Sequence, residues 1–145
     1  MRKNRKLLIV VFVLIAVLSV GLICTVCSLN RNIKTRDIAW TEYSVGAFDE
    51  SGKIVEDDKS SLITKDFITV EGMKIELEED AEITYKVFFY NEDQEFISSQ
   101  EGETEIVEGA KYMRIQITPT ADEDGEISLL EKSGYAKQLS VTVNK

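Results

Sequence analysis

Two hydrophobic periods divide this chain. Residues 7–29, LLIVVFVLIAVLSVGLICTVCSL, form an apolar run without one charged side chain. As a helix at roughly 1.5 Å per residue it extends about 34 Å, enough to cross a hydrocarbon core of about 30 Å. Ser19, Gly21, Thr25 and Ser28 are interruptions that a lipid-embedded helix tolerates. From Trp40 onward the period falls to two. Ile83, Tyr85, Val87 and Phe89 alternate with Thr84, Lys86, Phe88 and Tyr90. Met113, Ile115 and Ile117 alternate with Tyr112, Arg114, Gln116 and Thr118, and Leu139, Val141 and Val143 repeat the pattern near the C-terminus. Such alternation predicts strands with one buried face. Shorter strand candidates are residues 43–48, 62–70, 74–77, 95–98 and 126–130, separated by turn signals such as Ser51-Gly52, Glu71-Gly72 and Glu108-Gly109. No apolar stripe at helical spacing follows residue 39. The expected fold is an all-β ectodomain, a β-sandwich or jelly roll, preceded by one N-terminal transmembrane helix.

The same pattern sets the organisation: a basic cytoplasmic tail (1–6), a transmembrane helix (7–29), a polar tether (30–38) and an extracytoplasmic jelly-roll domain (39–145). Charge follows these boundaries. Residues 1–30 carry Arg2, Lys3, Arg5 and Lys6 and no acid, whereas residues 31–145 hold 13 basic and 26 acidic side chains, a net −13. The positive-inside rule then puts the N-terminus in the cytoplasm and the domain outside a bacterial cell membrane, although Arg31, Lys34 and Arg36 narrow the margin. The alternative is a secretory signal cleaved after Ser28, but the apolar run exceeds the 7–15 residues usual for a signal core. Cys24 and Cys27 lie inside the run, and Leu22-Ile23 and Thr25-Val26 before them fit a lipoprotein signal poorly. A CxxC metal site would need more ligands, and the chain has no other cysteine and no histidine. Both cysteines read as small apolar side chains, and the domain folds without disulfides. The lipid bilayer, through residues 7–29, is thus the first expected partner. Nucleic acid is not one, because an acidic domain repels phosphate.

Three stretches carry a family resemblance: TEYSVGAFDESGKIVEDDKSSLITKDFITV, VFFYNEDQEFISS and EGAKYMRIQI. They are similar to a β-sandwich module of bacterial and phage surface proteins. That module combines a tryptophan, a strand ending in Ser/Thr-Gly, a T-x-F-I-x-V strand, an F-Y-D-x-D-x-x-F-I-S hairpin and an A-x-Y-x-R-I strand. The counterparts are Trp40, Ser51-Gly52, Thr64 through Val70, Phe89 through Ser98 and Ala110 through Ile115. The resemblance extends over essentially the whole ectodomain and implies the galactose-binding-type jelly roll of many carbohydrate-binding modules. Asn91 stands where an aspartate is common, which weakens an inherited cation site, and residues 120–126 form an acidic insertion.

Sugar-binding modules stack an aromatic ring on a pyranose and fix its hydroxyls with amides, carboxylates or arginine. Trp40, Tyr43, Tyr90, Tyr112, Arg114 and Gln116 supply that material. Arg114 and Gln116 project from one side of their strand, opposite Met113 and Ile115. The candidate ligand residues are therefore Tyr112, Arg114, Gln116 and Tyr90. The competing reading is a solvated face on which Arg114 pairs with a neighbouring carboxylate. Trp40 reads as a plug at the sandwich base, near the tether. Ala121-Asp122-Glu123-Asp124-Gly125-Glu126 lacks the spacing of a calcium loop and reads as a charged hairpin tip. Glu76, Glu78, Glu79, Asp80 and Glu82 read as a solvated turn, since nothing sets one carboxyl in an apolar pocket. Without histidine there is no imidazole base, Ser-His triad or His-ligated zinc. No catalytic residue, metal or cofactor is assigned. The reading is a membrane-anchored, non-enzymatic binding module for cell-surface glycan or a peptidoglycan-associated polymer. The alternative is a structural or accessory subunit that binds an envelope protein, and a carboxylate-based hydrolase is a weaker third.

Overall fold

The three alternating segments are strands, as the period-two pattern predicts, and they form the centre of two antiparallel sheets. The structure, a computed structural model, describes residues 34–55, 57–102, 105–120 and 125–145. Residues 35–145 make one compact unit. The expected helix over 7–29, with Cys24 and Cys27, lies outside the described residues, as do residues 121–124 of the acidic insertion. Among the described residues no helix is long and apolar enough to cross a membrane.

The larger sheet centres on β8 (Ile83–Tyr90) and β10 (Tyr112–Pro119), paired from Tyr112 opposite Tyr90 to Pro119 opposite Ile83. Beyond β8 lies β9 (Phe96–Glu101); beyond β10 lie β5 (Leu62–Thr64) and then β2 (Tyr43–Val45), with β6 (Ile68–Thr69) also on β10. The smaller sheet runs β1 (Thr35–Asp37), β11 (Leu139–Asn144), β7 (Lys74–Leu77). Both sheets feed one core: Val87, Phe89, Met113, Ile115 and Ile117 from the larger, and Ile75, Leu139, Val141 and Val143 from the smaller. Each such side chain, fully buried, contributes roughly 1.5–3 kcal/mol. The fold is all-β, as the sequence predicts.

Several elements differ from expectation. The segment 62–70 is two strands rather than one, broken at Lys65-Asp66-Phe67. Thr35–Asp37, inside the expected tether, pairs with β11 and so belongs to the domain. Residues 126–130 form no strand; they lead into a helix absent from the periodicity reading, α1 (Lys132–Lys137). That helix is too short to display an apolar stripe, and it buries only Ala136. A two-stranded ribbon, β3 (Ala47–Phe48) and β4 (Ile54–Val55), arises between them from a side-chain-built turn. Asp49 accepts hydrogen bonds from the Ser51 and Lys53 backbone N–H groups and from the Ser51 hydroxyl, and Gly52 takes a φ of +74°. The β8–β9 hairpin repeats the device: Asn91 Oδ1 accepts from the N–H groups of Asp93 and Glu95. Asn91 is thus a turn-forming residue in its own right.

Candidate functional site

On β10 the residues that face away from the core are Tyr112, Arg114, Gln116 and Thr118; on β8 they are Lys86, Phe88 and Tyr90. In a solvated sheet this face would be polar. Here it carries a second apolar cluster of Phe48, Ile63, Phe88 and Tyr90, flanked by half-buried Phe67, Phe96 and Tyr112. Phe48 arrives from the β3–β4 ribbon and Phe67 from the break between β5 and β6. The rings touch edge to face: Phe67 is 4.8 Å from Tyr90 and 6.2 Å from Tyr112, and Phe96 is 5.9 Å from Tyr90.

Arg114 lies inside this cluster with 7% of its surface exposed. The break at 65–67 explains its position. Where β5 leaves β10, the carbonyls of Thr64 and Lys65 lose their ladder partners. The Arg114 guanidinium supplies replacements, donating from Nε and Nη2 to Thr64 O and from Nη2 to Lys65 O. On the same turn the Ile115 N–H donates to Thr64 Oγ1. The guanidinium carbon also sits 4.5 Å from the Phe48 ring centroid and 5.4 Å from that of Phe67. Burial lowers the Arg114 pKa from its ordinary value, and the nearby Tyr90 and Asp66 oppose that shift. Arg114 therefore stitches a broken strand. It is neither displayed in an open groove, as the ligand reading required, nor paired with a carboxylate among the described residues, as the competing reading held.

The other three candidates are placed as follows. Gln116 Oε1 accepts from the Phe48 N–H at 2.8 Å, and its Nε2 donates to Ser61 and Thr118 hydroxyls. Gln116 thereby holds the ribbon over the sheet. Tyr90 is buried and donates its hydroxyl proton to Gly52 O at 2.8 Å, and burial pushes its pKa up to about 12. Tyr112, like Gln116, stays half open to solvent, and its ring lies beside Phe67. Its register partner Thr69 lines a cleft of about 370 Å³ whose walls include Val70, Glu71, Gly72, Ile106 and Lys111. Trp40 is not a basal plug, because 42% of its surface is exposed. Sequence reading missed Phe48, Phe67 and Phe96. The signal was present in β8, whose outward positions Phe88 and Tyr90 are as apolar as its inward ones and so require a cover.

Among the described residues no group of three or more acidic, cysteine or histidine side chains is placed to hold a metal ion. The carboxylates with shifted pKa values, Asp49, Asp58 and Glu131, are all moved down, mainly by hydrogen bonds from neighbouring backbone N–H groups or serine hydroxyls. Compared with protein-family models, curated proteins and solved structures, the chain matches none.

Proposed function

We propose that this chain is a membrane-anchored, extracytoplasmic, non-enzymatic binding module of the jelly-roll type. Its working surface is the rim formed by Phe67 and Tyr112 and the cleft beside Thr69 and Lys111, rather than Arg114. The observation that carries this reading is the fixed pair of half-exposed rings, 6.2 Å apart, braced from beneath by buried Tyr90 and Arg114. A rigid aromatic edge offers a sugar ring a stacking surface at low cost in side-chain entropy, and Lys111, Glu71 and Thr69 supply polar groups beside it. The absence of histidine and the downward carboxylate shifts favour recognition over acid–base chemistry. The apolar run at 7–29, with basic residues before it, supports an anchor that leaves the acidic domain outside.

A glycan array probed with residues 35–145 tests the reading. Binding to one glycan class, lost in Tyr112→Ala and Phe67→Ala, is the expected result; no binding to any glycan overturns it. A protein partner is the second reading, favoured by the exposed side chains of Ile54, Val55 and Ile97. Capture of an envelope protein by the full chain, abolished by Ile54→Ser, would establish that reading instead.

A further inference from the structure

At the end of the domain formed by α1 and the 3₁₀ turn Trp40–Glu42, the surface breaks the usual rule for exposed residues. Leu129 and Leu130, consecutive in the loop before α1, expose 81% and 92% of their surface, and Trp40 exposes 42%. Two neighbouring leucines almost wholly in water have no role in the core, since neither belongs to either apolar cluster. The Lys132 ammonium lies 5.7 Å over the Trp40 ring. Lys65 is close enough to act on Lys132 by charge, and its Nζ donates to Thr41 O, not to a carboxylate. Neither lysine forms an ion pair among the described residues, in a unit where residues 35–145 hold 11 basic and 26 acidic side chains. Of the acids next to these residues in sequence, the Glu131 carboxylate accepts from Ser128 and Glu42 pairs with Arg36, while Asp66 follows Lys65 and acts on Arg114.

A pair of protruding leucines, an amphipathic tryptophan and two ammonium groups in no ion pair among the described residues match the depth profile of a lipid surface. Leucine enters the acyl boundary, tryptophan sits at headgroup level and lysine reaches phosphate. Chain length favours that surface over another occupant. The apolar run ends at Leu29, and the six steps to Thr35 extend to at most about 20 Å. From Thr35 to Trp40 the chain covers at most about 17 Å more. The tether is therefore long enough for the Trp40 end to meet the bilayer that would hold residues 7–29. We propose that Trp40, Leu129, Leu130, Lys65 and Lys132 form a secondary contact that seats the domain on the phospholipid surface. This inference rests on the anchoring part of the proposed function.

The test uses a convenience of the sequence, that Trp40 is the only tryptophan. The full chain is synthesised into phosphatidylcholine–phosphatidylglycerol vesicles, floated, and its emission read with brominated lipid and with aqueous acrylamide. A seated domain loses emission to brominated lipid, as expected for a ring at headgroup depth, and is shielded from acrylamide. Leu129→Ser/Leu130→Ser, which alters only exposed side chains, reverses both effects while the protein still floats. A chain that floats but stays open to acrylamide and unquenched by brominated lipid overturns the contact and leaves the anchor standing. A chain that fails to float overturns both. Quenching that is equal in the double variant removes the leucines from the contact. Shielding from acrylamide that depends on protein concentration, without lipid quenching, assigns the patch to a second copy of the chain and likewise overturns the proposal.

Discussion

Arg114→Lys keeps the charge and the approximate length of the side chain but replaces a planar fork with a point donor. The fork makes three hydrogen bonds, two to Thr64 O and one to Lys65 O at 3.0 Å. A lysine ammonium reaches one of these carbonyls with good geometry and leaves the other unpaired in a buried corner, at a cost of about 1–3 kcal/mol. It also loses the guanidinium's contacts with the Phe48 and Phe67 rings, worth roughly 1 kcal/mol when shielded from water. None of this is returned, because the ammonium is still a buried cation and is more strongly hydrated than the guanidinium it replaces. The expected net loss is about 2–4 kcal/mol. Equilibrium urea unfolding of residues 35–145, followed by circular dichroism, measures it. With a slope of about 1–3 kcal/mol per molar urea, the midpoint falls by roughly 1–3 M. A midpoint unmoved by the substitution refutes the reasoning. The corner at 64–67 would then stand without the fork, and Arg114 would return as a candidate for ligand contact.

Three further outcomes follow from neighbouring groups. Tyr43 is fully buried, its hydroxyl has no hydrogen-bond partner among the described residues, and burial raises its pKa, so Tyr43→Phe should stabilise the domain by about 1 kcal/mol in the same unfolding assay. A loss of stability would show that the hydroxyl is bonded in solution. Gly52→Ala should cost about 1–3 kcal/mol, because φ is +74° and the added Cβ would lie 2.6 Å from Tyr90 Oη and 2.8 Å from Phe96 Cδ2. The ribbon should loosen first, visible as faster amide exchange at Phe48 and Lys53. The alkaline limit follows from the buried tyrosines, since burial raises Tyr43, Tyr85 and Tyr90 alike; for Tyr90 the folded pKa is raised to about 12 while the unfolded value stays near 10, so its share of stability, present below pH 10, is lost as pH rises through that window, by up to about 2–3 kcal/mol. A urea midpoint series from pH 9 to 11.5, read with tyrosinate absorbance, should show the decline in wild type and a shallower one in Tyr90→Phe.

The inward-facing half of the fold was legible because it is written in one residue class. Met113, Ile115 and Ile117, or Leu139, Val141 and Val143, announce a buried face whatever lies opposite. The outward half was not, since polar positions on a strand leave two outcomes open: water or a cover. Arg114 and Gln116 look solvated in sequence, and only the β3–β4 ribbon and the break at 65–67 decide otherwise. Both depend on side-chain-to-backbone bonds, from Asp49 and from Arg114, that hydrophobic periodicity does not register. The strand Thr35–Asp37 escaped notice for a related reason. TRD has no apolar alternation, and it is held at the sheet edge by β11 through backbone pairing and a hydrogen bond from the Thr142 hydroxyl to the Asp37 carboxylate. Trp40 was misplaced because aromatic residues near a domain boundary are more often buried than open.

The covered outer face also changes where recognition can occur. A sheet with one face in the core and one in water can bind a ligand across its breadth. In this domain Phe48, Phe67 and the ribbon occupy most of the second face, and the one buried cation there is committed to Thr64 and Lys65. Burial of that charge makes sense as a structural device: without the guanidinium, the detour that delivers Phe67 to the rim would leave two carbonyls unpaired in an apolar cluster. Arg114 and Tyr112 are thus coupled through Phe67. Weakening the first should disorder the second without any contact to ligand. A double-mutant cycle between Arg114→Lys and Tyr112→Ala, read as glycan affinity, should show clearly less than additive losses. Strict additivity would separate the rim from its brace and place the binding surface elsewhere on the domain.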